Sequence, residues 1–303
     1  MSTQIAVTTS GPLVRPATQA SFPGIMRGEF LKIRRIFWPM LALLTAGFLI
    51  SFLLNAQATG GDLRHAPLTF FYNSLESNMV IVRILAGILL LVLTSFTIGR
   101  EYQYGTIRIL LARGAGRVQL LCAKLVILAL IALALLALFT LLTMLLTCVR
   151  VLTIAGNLGA LSALTPTFWA NSGIDLLTVM LSMGATILMA AAMNALGRSL
   201  TFGLSVSLIW FPVDNIGTVV MNALTKLTHN AFWINTTAYF LGPLLNRLPS
   251  MLLPAAARNG FESFGTEPLV VVSGSHALWV IGVYALVFLA IALVPTWKRD
   301  VKE

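Results

Sequence analysis

The stretch from Ile98 to Arg117 holds the densest set of side chains able to grip a partner. It reads Gly99-Arg100-Glu101-Tyr102-Gln103-Tyr104-Gly105-Thr106-Ile107-Arg108-Ile109-Leu110-Leu111-Ala112-Arg113-Gly114 and then Ala115-Gly116-Arg117. Thr106 can cap a short helix by accepting from an early backbone N–H. Ile107, Leu110 and Leu111 then share one face at i, i+3, i+4, and Gly114 is a natural stop. The expectation is a short helix with one apolar face and basic flanks, able to carry rigid-body motion if a soluble partner holds it.

Upstream, Met26, Phe30, Ile33 and Phe37 fall on one face of a helix, and Arg27, Lys32, Arg34 and Arg35 fall largely elsewhere. This predicts a basic amphipathic helix over 24–37 that lies against a membrane interface, with Glu29, Phe30, Lys32 and Arg34 as its contact residues. The plain alternative is an orientation signal that happens to be helical. Three further ionisable residues, Arg83, Asp175 and Asp214, sit in or at the ends of apolar runs. Charge inside lipid is costly. Either these are helix-end charges that reach the headgroups, or they form a gate in which Arg83 pairs with Asp175 or Asp214.

Other chemistries lack their residues. His65, His229 and His276 have no ligand spacing, and Cys122 and Cys148 read as packing residues, so no metal site is expected. No Ser-His-Asp grouping stands out. No G-x-x-x-x-G-K-[ST] run occurs, and Gly114-Ala115-Gly116 lacks the Lys-Ser/Thr ending. The chain is therefore not expected to hydrolyse ATP.

The elements that must position these residues follow from composition. The chain has 303 residues, 58% of them hydrophobic and 10% charged, with a mean hydropathy of +0.90. Soluble domains carry about 25% charged residues, so lipid must solvate most of this surface. Six runs approach the roughly 20 apolar residues a bilayer crossing needs: 36–54, 79–98, 118–147, 174–196, 200–220 and 275–297. Pro39, near the start of the first, is tolerable in an opening turn. The expected fold is all-α and polytopic, a single membrane domain over 24–303 behind a flexible tail at 1–23. Gly184, Gly197 and Gly203, with Ala190–Ala192, could permit close helix contacts; taken singly, each reads as ordinary membrane-helix composition.

With the N-terminus placed inside, Arg64, Arg83, Arg150, Lys226, Arg247 and Arg258 face outward and the other fourteen Lys and Arg face inward. The whole excess charge of +10 then lies on the inner side, as the positive-inside tendency requires. Both termini are expected in the cytoplasm, and the basic balance needs no nucleic acid. The inner link between spans four and five is a tight turn at Gly197-Arg198-Ser199. The outer link 221–274 contains apolar pieces broken by Gly and Pro, which predicts short interfacial or re-entrant helices buried in protein.

The run Gly99-Arg100-Glu101-Tyr102, followed by Gly105-Thr106, Arg108, Leu110-Leu111 and Arg113-Gly114, resembles the second cytoplasmic segment of type-2 ABC transporter permeases. Arg117 and Ala123-Lys124-Leu125 extend the resemblance. It implies six spans per subunit, an N-terminal elbow helix, a coupling helix over 100–113, and re-entrant helices between spans five and six. It further implies a second permease subunit and a separate ATPase that binds ATP and Mg, with no cofactor in this chain. Arg100, Glu101, Tyr102, Gly105, Thr106, Arg108, Leu111 and Arg113 would then face the ATPase or lock against the elbow. Export across a prokaryotic cell membrane is the implied activity. A non-pumping binding or immunity protein is the alternative, and an intramembrane lipid-processing enzyme a weaker one, for want of clustered His, Asp or Glu.

Overall fold

A computed structural model describes residues 21–58, 62–105, 116–254 and 265–298. Among the described residues there are helices and 3-10 turns but no strand: α1 (Phe22–Ala58), α2 (Asp62–His65), α3 (Pro67–Gln103), α4 (Arg117–Ala155), a 3-10 turn (Gly159–Ala163), α5 (Pro166–Gly197), α6 (Leu200–Thr228), α7 (Ala231–Thr236), a 3-10 turn (Thr237–Tyr239), α8 (Leu241–Leu252) and α9 (Gly274–Lys298). Six helices are long and apolar enough to cross a membrane: α1, α3, α4, α5, α6 and α9. Each contains one of the six runs read from the sequence.

The helices overrun those runs because local signals, not hydropathy, set their ends. Pro67 opens α3 and Pro166 opens α5, positions where a missing N–H costs nothing. Thr165 Oγ1 accepts from Phe168 N at 3.4 Å. Gly156 closes α4 in the left-handed conformation, φ 71°, as a helix-ending glycine does. Much of the link expected before residue 79 is therefore helix.

The elbow differs from expectation. Residues 24–37 run without a break into the first span as one helix. Pro39 thus lies in the helix interior, not in its opening turn, and the Arg35 carbonyl loses its i+4 donor. The buried face differs too. Met26 and Phe37 pack on the core around Ile33, but Phe30 is 48% exposed and the buried position beside Ile33 belongs to Glu29. The flexible tail falls mostly on 1–20, outside the described residues.

One core joins α1, α3, α4 and α5, where Phe48 meets Phe139 with ring centroids 5.1 Å apart. A second joins α5, α8 and α9 around Ala190, Leu244 and Ile281. The α5–α6 turn is as tight as expected, with Arg198 at φ 48° and Ser199 Oγ accepting from Phe202 N. Just above it, Asn194 donates to Ser95 Oγ at 2.9 Å and to Ala190 O at 2.7 Å. Gly99 and Gly203 both abut its side chain, and a Cβ on Gly99 would also stand 2.8 Å from Leu200 Cα. Gly203 therefore permits a close crossing of α5 and α6, contrary to its reading as ordinary composition. Gly184 has open space beside it, in agreement with that reading. Gly203→Leu should force α5 and α6 apart and cost about 1–3 kcal/mol or more, measured as a lower Tm in detergent. Gly184→Ala, with room for the methyl group, should leave Tm the same or slightly raised.

Candidate functional site

Two polar assemblies lie along α3, one at its C-terminal end and one at mid-length. The first lies where α3 ends and α4 begins. Glu29 of α1, Glu101 of α3 and Lys124 of α4 are buried. Lys32 joins them from the surface, its side chain 51% exposed. Lys32 Nζ lies 2.6 Å from Glu29 Oε1 and 2.9 Å from Glu101 Oε1. Lys124 Nζ lies 2.5 Å from Glu29 Oε2 and 2.9 Å from Glu101 Oε1, and donates to Thr97 O at 3.1 Å. Two carboxylates and two ammoniums thus close a neutral ring across three helices. Pairing is what makes such burial tolerable, because an isolated ion there would lose its hydration without return.

The neighbours of this ring fix the end of α3. Arg100 lies over the Phe96 and Tyr104 rings at 5.7 and 5.9 Å, within cation–π range. Tyr102 hydroxyl meets Thr296 Oγ1 of α9 at 3.2 Å. Gly105 takes φ +64°, a left-handed turn that ends the helix with no steric cost. Arg34 and Phe30 point away, both exposed. Thr106, Arg108, Leu111 and Arg113 lie outside the described residues, so the short helix expected there does too. A cleft of roughly 480 Å³ opens beside the ring, between Ile33 and Ile36 of α1 and Leu93, Phe96 and Arg100 of α3.

The second assembly gathers Arg83, Asp175 and Asp214, but not as the expected pairs. Among the described ion pairs none joins Arg83 to either carboxylate. Arg83 donates to Thr178 Oγ1 at 3.0 Å and to Leu245 O at 3.2 Å. Asp175 and Glu76 attract its guanidinium from nearby. The Leu245 carbonyl is available because Pro249 lies four residues on inside α8 and offers no N–H to it. Asp214 Oδ2 accepts from Gly242 N in the first turn of α8, one of the N–H groups a helix start leaves without an internal partner. The next residue, Asn215, accepts from Asn246 Nδ2 at 2.9 Å and from Thr266 Oγ1 at 2.7 Å. Arg83 and Asp214 therefore clamp α8 from two sides. Nor are these helix-end charges reaching outward: Asp175 is nine residues into α5 and only 2% exposed.

Lys124, Thr178, Leu245 and Asn215 are the residues that sequence reading missed. A lone lysine inside the apolar run Leu120–Leu130 was a signal for the first. Pro249, four positions after Leu245, was a signal for the third. Thr178 and Asn215 carry no comparable mark.

The family described as ABC-2 family transporter protein matches residues 25–214, which takes in α1 from Ile25 to the middle of α6, the charge ring, and Arg83, Asp175 and Asp214. No curated protein matches the chain.

The ring geometry sets an order of costs. Lys124→Ala leaves two buried carboxylates sharing the half-exposed Lys32 alone and should cost about 3 kcal/mol, whereas Lys32→Ala should cost about 1 kcal/mol or less. Denaturation in mixed micelles measures both. A double-mutant cycle on Glu29 and Lys124 should return a coupling well above that of Glu29 and Lys32.

Proposed function

The chain belongs to the ABC-2 transporter family, and from that premise we propose that it is the permease subunit of an ABC exporter driven by a separate ATPase. Membrane subunits of this family generally work with such an ATPase. In this reading two permease subunits pair in the cell membrane of a prokaryote, and both termini of each are cytoplasmic. ATP and Mg are bound by the partner ATPase. The exported substrate is hydrophobic or amphipathic.

The observation that supports the coupling is the ring of Glu29, Lys32, Glu101 and Lys124. The segment proposed to engage the ATPase, 100–113, begins in the last turn of α3 beside Glu101, and α4 begins at Arg117, seven residues before Lys124. Both ends are thus tied to one another through the ring, and both are tied to α1 through Glu29. A push on that segment moves three helices as one body rather than bending a loop. Switching between inward- and outward-open states needs rigid-body movement of this kind. Arg100 and Tyr102 add ties to Tyr104 and to α9.

The test is to co-purify the chain with its candidate ATPase and measure hydrolysis with and without the permease. Hydrolysis should be stimulated by the permease. In Glu101→Gln the complex should still assemble while the stimulation falls about tenfold, the loss expected when a transmitting charge pair of ~1.4 kcal/mol is removed. Cysteine pairs placed along 102–111 should crosslink to the ATPase. Failure to capture it there, in a complex that otherwise forms, would reject the coupling role.

A further inference from the structure

A cavity of roughly 360 Å³ opens halfway along α3, beside the second polar assembly. Its size sits in the lower part of the ~300–1,000 Å³ range of small-molecule pockets. Ile84, Ile88 and Leu91 of α3 form one wall, and Leu208, Phe211 and Pro212 of α6 form the other. Ser182 and Thr186 of α5 close the back, and Leu245 and Asn246 of α8 close one end. Gly87 contributes the open centre: a Cβ built there meets nothing within 4 Å. The mouth lies between α3 and α6, where Ile88 and Leu208 are 46% and 41% exposed.

We infer that this cavity binds a single-chain neutral amphiphile, one whose head accepts hydrogen bonds through an ester or hydroxyl oxygen. Three features select that class. The mouth stands at the middle of the apolar run 79–98, so a ligand enters from the hydrocarbon and must itself be lipid-soluble. The walls on α3 and α6 are largely apolar, and the charged group of the lining is Arg83, whose Nε is buried and has no hydrogen-bond partner. That N–H calls for an acceptor, because a buried donor left unmade costs more than the bond itself returns. The head need not be an anion. Asp175 and Glu76 already attract the Arg83 charge, and a further negative group would face both of them. Pro212 also leaves the Leu208 carbonyl, in the cavity wall, without its helical donor, so a hydroxyl on the head has an acceptor as well.

The site stands apart from the coupling proposal, since binding is read on the permease alone, without ATPase or nucleotide. The probes are a diazirine-bearing monoacylglycerol and a diazirine-bearing fatty acid of equal chain length, photolysed with the purified full chain in nanodiscs. The monoacylglycerol should label 84–91 and 208–212 saturably, with competition by unlabelled monoacylglycerol. Labelling at Leu286, an exposed residue of α9, should rise linearly without competition. Gly87→Phe fills the cavity and should lower the saturable label about tenfold with the Leu286 label unchanged. Arg83→Gln keeps a donor for Leu245 O and should weaken it about threefold or more. Saturable labelling by the fatty acid alone would overturn the neutral-head assignment. Equal labelling in Gly87→Phe and the native chain, or no saturable label with either probe, would overturn the site.

Discussion

An ammonium with almost no water around it has to find negative charge, and Lys124 imposes that demand on everything near it. It is buried eight residues into α4, and Glu29 and Glu101 answer it from two other helices. Apolar side chains cannot do this work in lipid. A leucine loses little by turning from a neighbouring helix to an acyl chain, so apolar contact alone sets neither register nor partner. A charge ring does both. Glu29 must stand opposite the start of α4, and Glu101 opposite Glu29, or two carboxylates and an ammonium are stranded. The register of α1, α3 and α4 at this end is therefore fixed by electrostatics, and the cores around Phe48 and Phe139 fill in above it.

The middle of α3 answers a different demand, that of backbone groups held away from water. The helix α8 is short and contains Pro243 and Pro249, so it leaves N–H and C=O groups without internal partners. In an apolar setting these groups have to be met by the protein. Arg83 meets the Leu245 carbonyl and Asp214 meets the Gly242 N–H. Two residues of opposite charge are thus engaged with the first half of one short helix and not with each other. The choice of partner follows from geometry, because α8 lies between them.

The contrast between these two assemblies explains what the sequence could reveal. Six crossings were legible because about 20 apolar residues in a row have few other uses. Their ends were not, since Pro67, Thr165 and Gly156 extend helices by capping, which hydropathy does not register. The tight turn at Arg198 was legible from three small or polar residues between two apolar runs. The elbow was half legible: its amphipathic period is real, but the pattern assumed that a charged residue faces water. Glu29 violates that assumption, and only its distant partner Lys124 reveals why. Likewise, sequence alone shows that Arg83 needs an acceptor. It does not show that a proline 166 positions later creates one.

The placement of prolines separates the long helices mechanically. Interior prolines occur in α1, α6 and α9, as Pro39, Pro212 and Pro295, and none interrupts α3, α4 or α5 beyond the first turn. The same division appears in burial. The apolar windows of α3, α4 and α5 are 50%, 44% and 67% buried, against 17%, 11% and 28% for α1, α6 and α9. A stiff inner group is thus flanked by helices that can bend at known points. The charge ring acts on the stiff group, and about 27 Å of unbroken helix, at 1.5 Å per residue, separates Glu101 from Arg83. Displacement applied at the ring therefore reaches the clamp on α8 with little lost to bending. The compliant partner along that path is α6, whose Pro212 lies in the wall of the central cavity. A cavity with one stiff wall and one that can bend changes shape when the stiff wall moves, and this links the ring to the space halfway along α3.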